Sequence, residues 1–151
     1  QQGELIYEVD ISSLKTQGFY FSPVAVEIDS ISMLDKENFG PILHVCPYEK
    51  SDLETVIADI NATGYGLTLG IHSRIDEVIS YIASKVNAGN CYINRNMTGA
   101  VVGLQPFGGE GLSGTGPKAG GPNYLRRLSH ERTLSIDTTA AGGNASLMSQ
   151  V

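Results

Sequence analysis

The residues best suited to chemistry lie in one run, Asn94-Arg95-Asn96-Met97-Thr98-Gly99-Ala100-Val101-Val102-Gly103-Leu104-Gln105-Pro106-Phe107-Gly108-Gly109-Glu110-Gly111-Leu112-Ser113-Gly114-Thr115-Gly116. Nine of the 18 glycines fall between Gly99 and Gly121. No helix or strand interior tolerates that density, because each glycine there costs backbone entropy. A backbone so rich in glycine bends sharply and lets a ligand approach its N–H donors, as an anion-binding loop must. Gly109, Gly111 and Gly114 also fit the G-x-G-x-x-G spacing of a dinucleotide fingerprint. That fingerprint needs a strand before it and a helix opening within it. Here Pro106 precedes, unable to donate to a central ladder, and Thr115-Gly116-Pro117 follows where no helix runs. A phosphate-binding P-loop is excluded by the absence of Gly-Lys-Ser/Thr.

Three further sets of residues could carry chemistry. Asp35-Lys36-Glu37-Asn38-Phe39-Gly40-Pro41 sets a carboxylate and an aromatic ring just before an apolar run. A carboxylate can accept from both hydroxyls of a ribose, and a ring beside it can pack on a flat cofactor. Read alone, a surface Glu37 and a core Phe39 are the simpler account. Cys46 and Cys91 would need exposure and a pKa-lowering neighbour to act as nucleophiles. Both stand inside strand-like apolar runs and read as buried structural cysteines. His44, His72 and His130 are scattered, with no carboxylate or cysteine at ligand spacing, so no metal site is read.

The elements that must position these residues follow from composition and periodicity. At 151 residues the chain can form one domain with a core. Its net charge of −6 argues against a nucleic-acid partner, and its one basic doublet, Arg126-Arg127, reads as a solvated helix end. No apolar run reaches the length of a membrane span, and two cysteines in apolar segments suggest a reducing compartment. Strand-like alternation over Leu5 to Ile11 begins almost at once after Gln1-Gln2-Gly3, as expected of a piece of a longer protein.

Phe19 to Ile28 reads as extended chain broken at Ser22-Pro23, and Pro41 to Tyr48 as a buried parallel strand. Ser51 and Glu54 have the spacing of a capping box before a helix carrying Leu53, Val56, Ile57 and Ile60 on one face. Leu67 to Ile71 is the next strand. Ser73-x-x-Asp76 then caps a second helix with Ile75, Val78, Ile79, Ile82 and Val86 on one face and Gly89 as its stop. Cys91-Tyr92-Ile93-Asn94 is the last strand of the series, and the glycine loop leaves its carboxyl end. Alternating strands and helices predict an α/β fold, a parallel sheet with right-handed crossovers, whose ligands bind outside the carboxyl ends of the strands. Glu131 to Thr138 alternates again, with Leu134 and Ile136 on one face, and a lone strand of this kind needs a partner.

Several motifs together resemble one family. Glu37-Asn38-Phe39-Gly40-Pro41, Tyr65-Gly66-Leu67 and Pro106-Phe107-Gly108-Gly109 resemble, in order and spacing, segments of the aldehyde dehydrogenase superfamily. Thr98-Gly99-Ala100-Val101-Val102-Gly103 and Gly114-Thr115-Gly116-Pro117-Lys118-Ala119-Gly120-Gly121-Pro122 resemble its glutamate-semialdehyde (pyrroline-5-carboxylate) branch. The tail from Asp137 to Ser146 is similar to the segment that follows this domain in the bacterial bifunctional proline utilization A family.

The resemblance implies a residue-by-residue assignment. Glu37 holds the nicotinamide ribose of NAD and Phe39 contacts the nicotinamide side. Gly99 and Ala100 bind the α-carboxylate of L-glutamate γ-semialdehyde through backbone N–H groups, and Phe107 packs on its methylenes. In the family a cysteine thiolate attacks the aldehyde, and a glutamate activates the water that frees the carboxylate product. The nucleophile, its Gly-Gln-x-Cys context and the base match nothing in these 151 residues, so the chain alone is expected to be inactive.

The expected architecture is therefore residues 1–128 as the later part of an aldehyde dehydrogenase catalytic domain and 129–151 as a β oligomerisation tail. The expected parent is a homo-oligomer, cytoplasmic or peripheral at the inner membrane, with FAD in a separate proline dehydrogenase domain. An aldehyde dehydrogenase of another substrate range, such as succinate semialdehyde, and a non-catalytic self-association module are the rival readings.

Overall fold

The computed structural model describes residues 3–14 and 18–137. The residues of the tail from Thr138 onward, and the part of its proposed family likeness that they carry, lie outside the described residues. Three strands open the chain: β1 (Glu4–Glu8), β2 (Val24–Glu27) and β3 (Ile42–Val45). β1 pairs antiparallel with β2, slipping register between Leu5 and Tyr7, and β2 pairs in parallel with β3, Val24 opposite Ile42 through Glu27 opposite Val45. Helix α1 (Leu53–Ala62) follows, then the two-residue β4 (Tyr65–Gly66) and β5 (Thr68–Ile71). Helix α2 (Asp76–Lys85) leads to β6 (Asn90–Ile93), which runs parallel to β5. A short β7 (Glu110–Gly111) pairs antiparallel with β4, and α3 (Tyr124–Arg127) closes the regular structure.

The α/β alternation and the parallel β5–β6 pair match the sequence reading, which gives β2 only as extended chain beside the strand β3. Those two pair in parallel, and among the described residues a single continuous sheet does not form. No ladder among the described residues joins β3 to β5, so the parallel pairs β2–β3 and β5–β6 stand apart. Periodicity shows which segments are strands; spatial order depends on which edges meet, and a helical crossover leaves that open. Strand bounds are also tighter than the apolar runs suggest. The first strand stops at Glu8, and of Pro41 to Tyr48 only four residues pair, with Leu43 60% exposed.

Both predicted caps take other forms. Ser51 donates to the Asp52 carboxylate (3.1 Å) within a 3-10 turn, Lys50–Asp52, and Glu54 accepts instead from Tyr81 Oη of α2 (2.8 Å). That bond ties the two helices together across solvent. Ser73 Oγ accepts the Ile75 N–H (3.1 Å), a serine turn set one step before the helix, whose first residue is Asp76. Local side-chain bonding of this kind competes with capping for the same hydroxyl. The second helix ends at Lys85, with the Val86 N–H closing on Ile82, so Gly89 is not its stop.

The buried apolar side chains are Val26, Ile28, Ile57, Ile71 and Tyr92, a small core for the described residues. Large apolar side chains stand exposed from Leu5 to Tyr7, from Phe19 to Phe21 and at Leu125, Leu128, Leu134 and Ile136. Residues 131–137 hold no strand, and Leu134 and Ile136 are each 72% exposed. An alternating segment with no strand beside it has no donor or acceptor row to pair with, so its pattern alone does not order it. Among the described residues no helix is long and apolar enough to cross a membrane.

Candidate substrate and cofactor site

Strand β6 organises the glycine loop. Its alternation buries Asn90 and Tyr92 on one face and leaves Cys91 and Ile93 exposed on the other. Asn90, 8% exposed, satisfies its amide completely. Its Nδ2 donates to the Pro106 carbonyl (3.0 Å) and to Tyr92 Oη (3.3 Å), and its Oδ1 accepts from the Gly108 N–H (3.3 Å) and Lys118 Nζ (3.3 Å). Lys118 also donates to the Gly89 carbonyl. Phe107 and Ala119 exchange both backbone hydrogen bonds, 3.0 and 2.8 Å, which joins the outgoing and returning legs of the loop. The whole loop is thus fastened at its base to the start of β6. Gly89 serves this junction rather than a helix end, because a Cβ there would run into the Gly108 carbonyl.

The far part of the loop is held at two points. Tyr92 Oη donates to the Gly99 carbonyl (3.3 Å), and the Val101 N–H donates to Gln105 Oε1 (3.2 Å). Between them Gly99 takes φ +74°, a left-handed conformation that L side chains rarely adopt, with open space around it. The Thr98 N–H is spent on Asn96 Oδ1 (3.2 Å). The N–H groups of Gly99 and Ala100 have no hydrogen-bond partner among the described residues. Two successive donors are therefore left open beside a left-handed glycine, as an anion-binding loop requires.

Upstream, Asn94 stands at φ +53° beyond β6, and its amide clasps the backbone of Ser73 at the end of β5 (3.0 and 2.9 Å). This clasp holds the carboxyl ends of the two parallel strands together, where the loop departs. Arg95 lies with its guanidinium carbon 4.7 Å from the centre of the Tyr92 ring.

Glu37 lies elsewhere, on the wall of an open groove of about 590 Å³ lined also by Leu34, Asn38, His44, Tyr65 and Leu69. Its carboxylate is exposed and has no protein partner among the described residues. Phe39 is 96% exposed, so it is not a core residue. Gly99, Ala100 and half-buried Phe107 do not line this groove. The structure brings the three substrate candidates into one loop, and it does not gather them with Glu37 and Phe39 around one cavity.

The buried-cysteine reading fails. Cys46, just past β3, is exposed with its thiol on the Asp29 carbonyl (3.6 Å), and Cys91 is exposed on the open face of β6. Partial desolvation still raises the Cys91 thiol above its ordinary pKa, the reverse of what a nucleophile needs. Apolar neighbours in sequence bury a strand residue only if another layer covers its face. The roles of Asn90, Tyr92, Arg95 and Lys118 do not follow from the sequence. One signal was present: an asparagine at the head of an apolar strand must find partners if it faces inward.

The aldehyde dehydrogenase family profile matches residues 1–134, and the chain belongs to that family. Bifunctional protein PutA of Rhizobium meliloti is 53% identical over 126 residues, which are 83% of this chain and 10% of that protein. The crystal structure of a point variant of proline utilization A from Bradyrhizobium japonicum superposes with a TM-score of 0.81 at 52% identity, covering 93% of this chain and 14% of that one. 1-Pyrroline-5-carboxylate dehydrogenase from Thermus, with bound NAD, superposes with a TM-score of 0.69 at 35% identity, covering 82% of this chain and 24% of that one. The chain spans about a tenth of the length of its Rhizobium relative.

Proposed function

We propose that this chain is part of an NAD-dependent dehydrogenase that oxidises L-glutamate γ-semialdehyde, the open form of 1-pyrroline-5-carboxylate, to L-glutamate. Its polypeptide also carries a flavin-dependent proline dehydrogenase with FAD in a separate domain, as the likeness to bifunctional PutA supports. The observation that carries the substrate assignment is the pair of open N–H donors at Gly99 and Ala100. A carboxylate two or three methylenes from an aldehyde is the ligand such a nest selects over an uncharged aldehyde. Half-buried Phe107 offers its ring to the methylenes.

The residues present fit the nicotinamide-ribose end of NAD. Glu37, without a partner among the described residues, presents its carboxylate to the two ribose hydroxyls, on a groove within the usual range of ligand sites. Phe39 leaves its ring free to lie against the nicotinamide side. Bound NAD supplies the acceptor for the hydride that leaves the substrate. This chain's residues bind and orient; the 151 residues contain no Gly-Gln-x-Cys, so the nucleophile and base belong to other parts of the polypeptide. Residues 1–128 then form the later part of the catalytic domain, and 129–151 form a tail that joins subunits. The exposed Leu134 and Ile136 support that division, since large apolar side chains left bare suit an interface.

Ala100→Pro in the full-length enzyme tests the assignment. Proline deletes one nest donor, and a hydrogen bond to a charged group is worth on the order of 1.5–3 kcal/mol, so kcat/KM for glutamate semialdehyde falls roughly 10- to 150-fold. Propanal, which lacks the carboxylate, loses much less, and NAD affinity holds because Glu37 and Phe39 are untouched. Equal losses for both aldehydes in a folded variant refute the assignment.

A further inference from the structure

The nest described above supplies two donors but no formal charge, while the substrate's α-carboxylate carries one, with the substrate's α-ammonium beside it. The cations nearest to it by bonded connection are Lys118 and Arg95. Lys118 is committed, donating to the Gly89 carbonyl and to Asn90 Oδ1 at the base of the loop. Arg95 is not committed. Its Nε–H donates to the Asn96 carbonyl (3.2 Å), and its guanidinium lies over the Tyr92 ring, 4.7 Å from the ring centre. Its terminal nitrogens have no carboxylate or carbonyl partner among the described residues.

These two contacts hold the guanidinium in place without neutralising it, because an aromatic face attracts a cation without offering an anion. The same Tyr92 carries, on its hydroxyl, the Gly99 carbonyl at 3.3 Å. One ring and one hydrogen bond thus separate Arg95 from the nest. That chain of contacts spans on the order of 10 Å, comparable with the Debye length of about 10 Å at 0.1 M salt. In a chain of net charge −6 this is a positive charge without an anionic partner among the described residues, joined through Tyr92 to the open donors.

Resting on the substrate reading above, we propose that Arg95 is a specificity-determining residue, whose charge draws the substrate's α-carboxylate onto the Gly99–Ala100 donors. Tyr92 is its positioning partner, setting the guanidinium on one side and the Gly99 carbonyl on the other. The residue acts on binding and not on the reacting carbon, so its effect belongs in KM and depends on ionic strength.

The experiment compares the full-length enzyme with its Arg95→Met and Arg95→Lys variants, using glutamate semialdehyde and propanal between 0.05 and 0.5 M NaCl, about the range over which the Debye length falls below 10 Å. One charge at that distance, opposed by the substrate's α-ammonium about 3 Å farther off, corresponds at an effective dielectric constant between about 20 and 40 to a roughly 1.5- to 2-fold change. Arg95→Met is expected to raise KM for glutamate semialdehyde by that factor at low salt, with kcat little changed. Arg95→Lys recovers most of it. The wild-type advantage shrinks as salt is added, and propanal turnover, which also reports folding, is the same in all three. An active wild type with unchanged KM in Arg95→Met overturns the Arg95 assignment alone, as do equal losses on propanal or a lysine variant no better than methionine. A wild type that does not oxidise glutamate semialdehyde overturns the functional reading and this inference with it.

Discussion

Asn90→Leu removes the hub of the glycine loop with a side chain of similar size. Four hydrogen bonds vanish together: to Pro106, Tyr92, Gly108 and Lys118. A net contribution of about 0.5–1.5 kcal/mol each applies, and the three at 3.3 Å belong at the low end. The direct loss is therefore about 2–4 kcal/mol. Lys118 keeps the Gly89 carbonyl, so its charge is not stranded, and the larger penalty for an unpaired buried cation does not apply. A loss of this size is a large share of the 5–15 kcal/mol that holds an ordinary domain together.

Urea unfolding of the chain, followed by circular dichroism, reads it as a fall in midpoint at unchanged slope. Tyr92→Phe, which loses the Asn90 and Gly99 bonds only, should cost about 1 kcal/mol. A double-mutant cycle with Asn90→Leu should show coupling of about 0.5–1 kcal/mol, since the two share a bond. An Asn90→Leu midpoint equal to the wild type's would refute the idea that this side chain ties the loop to β6.

The 151-residue chain is expected to produce no NADH from glutamate semialdehyde, because it has no Gly-Gln-x-Cys and its Cys91 thiol is shifted away from the thiolate; turnover abolished by Cys46→Ala or Cys91→Ala would contradict this. Deleting residues 131–151 should lower the association state or the solubility of the full-length protein, since Leu134 and Ile136 are bare; light scattering with unchanged mass and no aggregation would count against it. The bond to Glu54, then partial desolvation and the carboxylate's charge, raises the Tyr81 pKa above its ordinary 10.0. A raised folded-state value means that its stabilisation is complete below pH 10 and lost as pH rises through the shifted pKa, so Tyr81→Phe should be less stable than wild type at neutral pH and equal to it in strong alkali. Parallel denaturation curves with a constant gap across that range would disprove the linkage.

Elements and candidate residues divide differently between sequence and structure. Helical spacing placed α1 and α2, and β-type runs placed β5 and β6, because hydrophobic period is a local property that the chain carries wherever it lies. The glycine loop was legible for the same reason, since a run so costly to order as helix or strand must be something else. The family motifs reached further, marking Glu37, Phe39, Gly99, Ala100 and Phe107 before any contact was known. Tertiary structure decided the rest. Spacing placed cysteines 46 and 91 inside a core, and the fold left both bare, because burial belongs to the layer that covers a strand. Ser51 and Glu54 had the spacing of a cap, and the arrival of Tyr81 from α2 drew Glu54 away. Asn90, Lys118 and Arg95 gained their roles from partners 16, 28 or 3 positions away in any direction that the backbone chose to fold, and a hydrogen bond or a ring contact exists only once the two groups share a place in space.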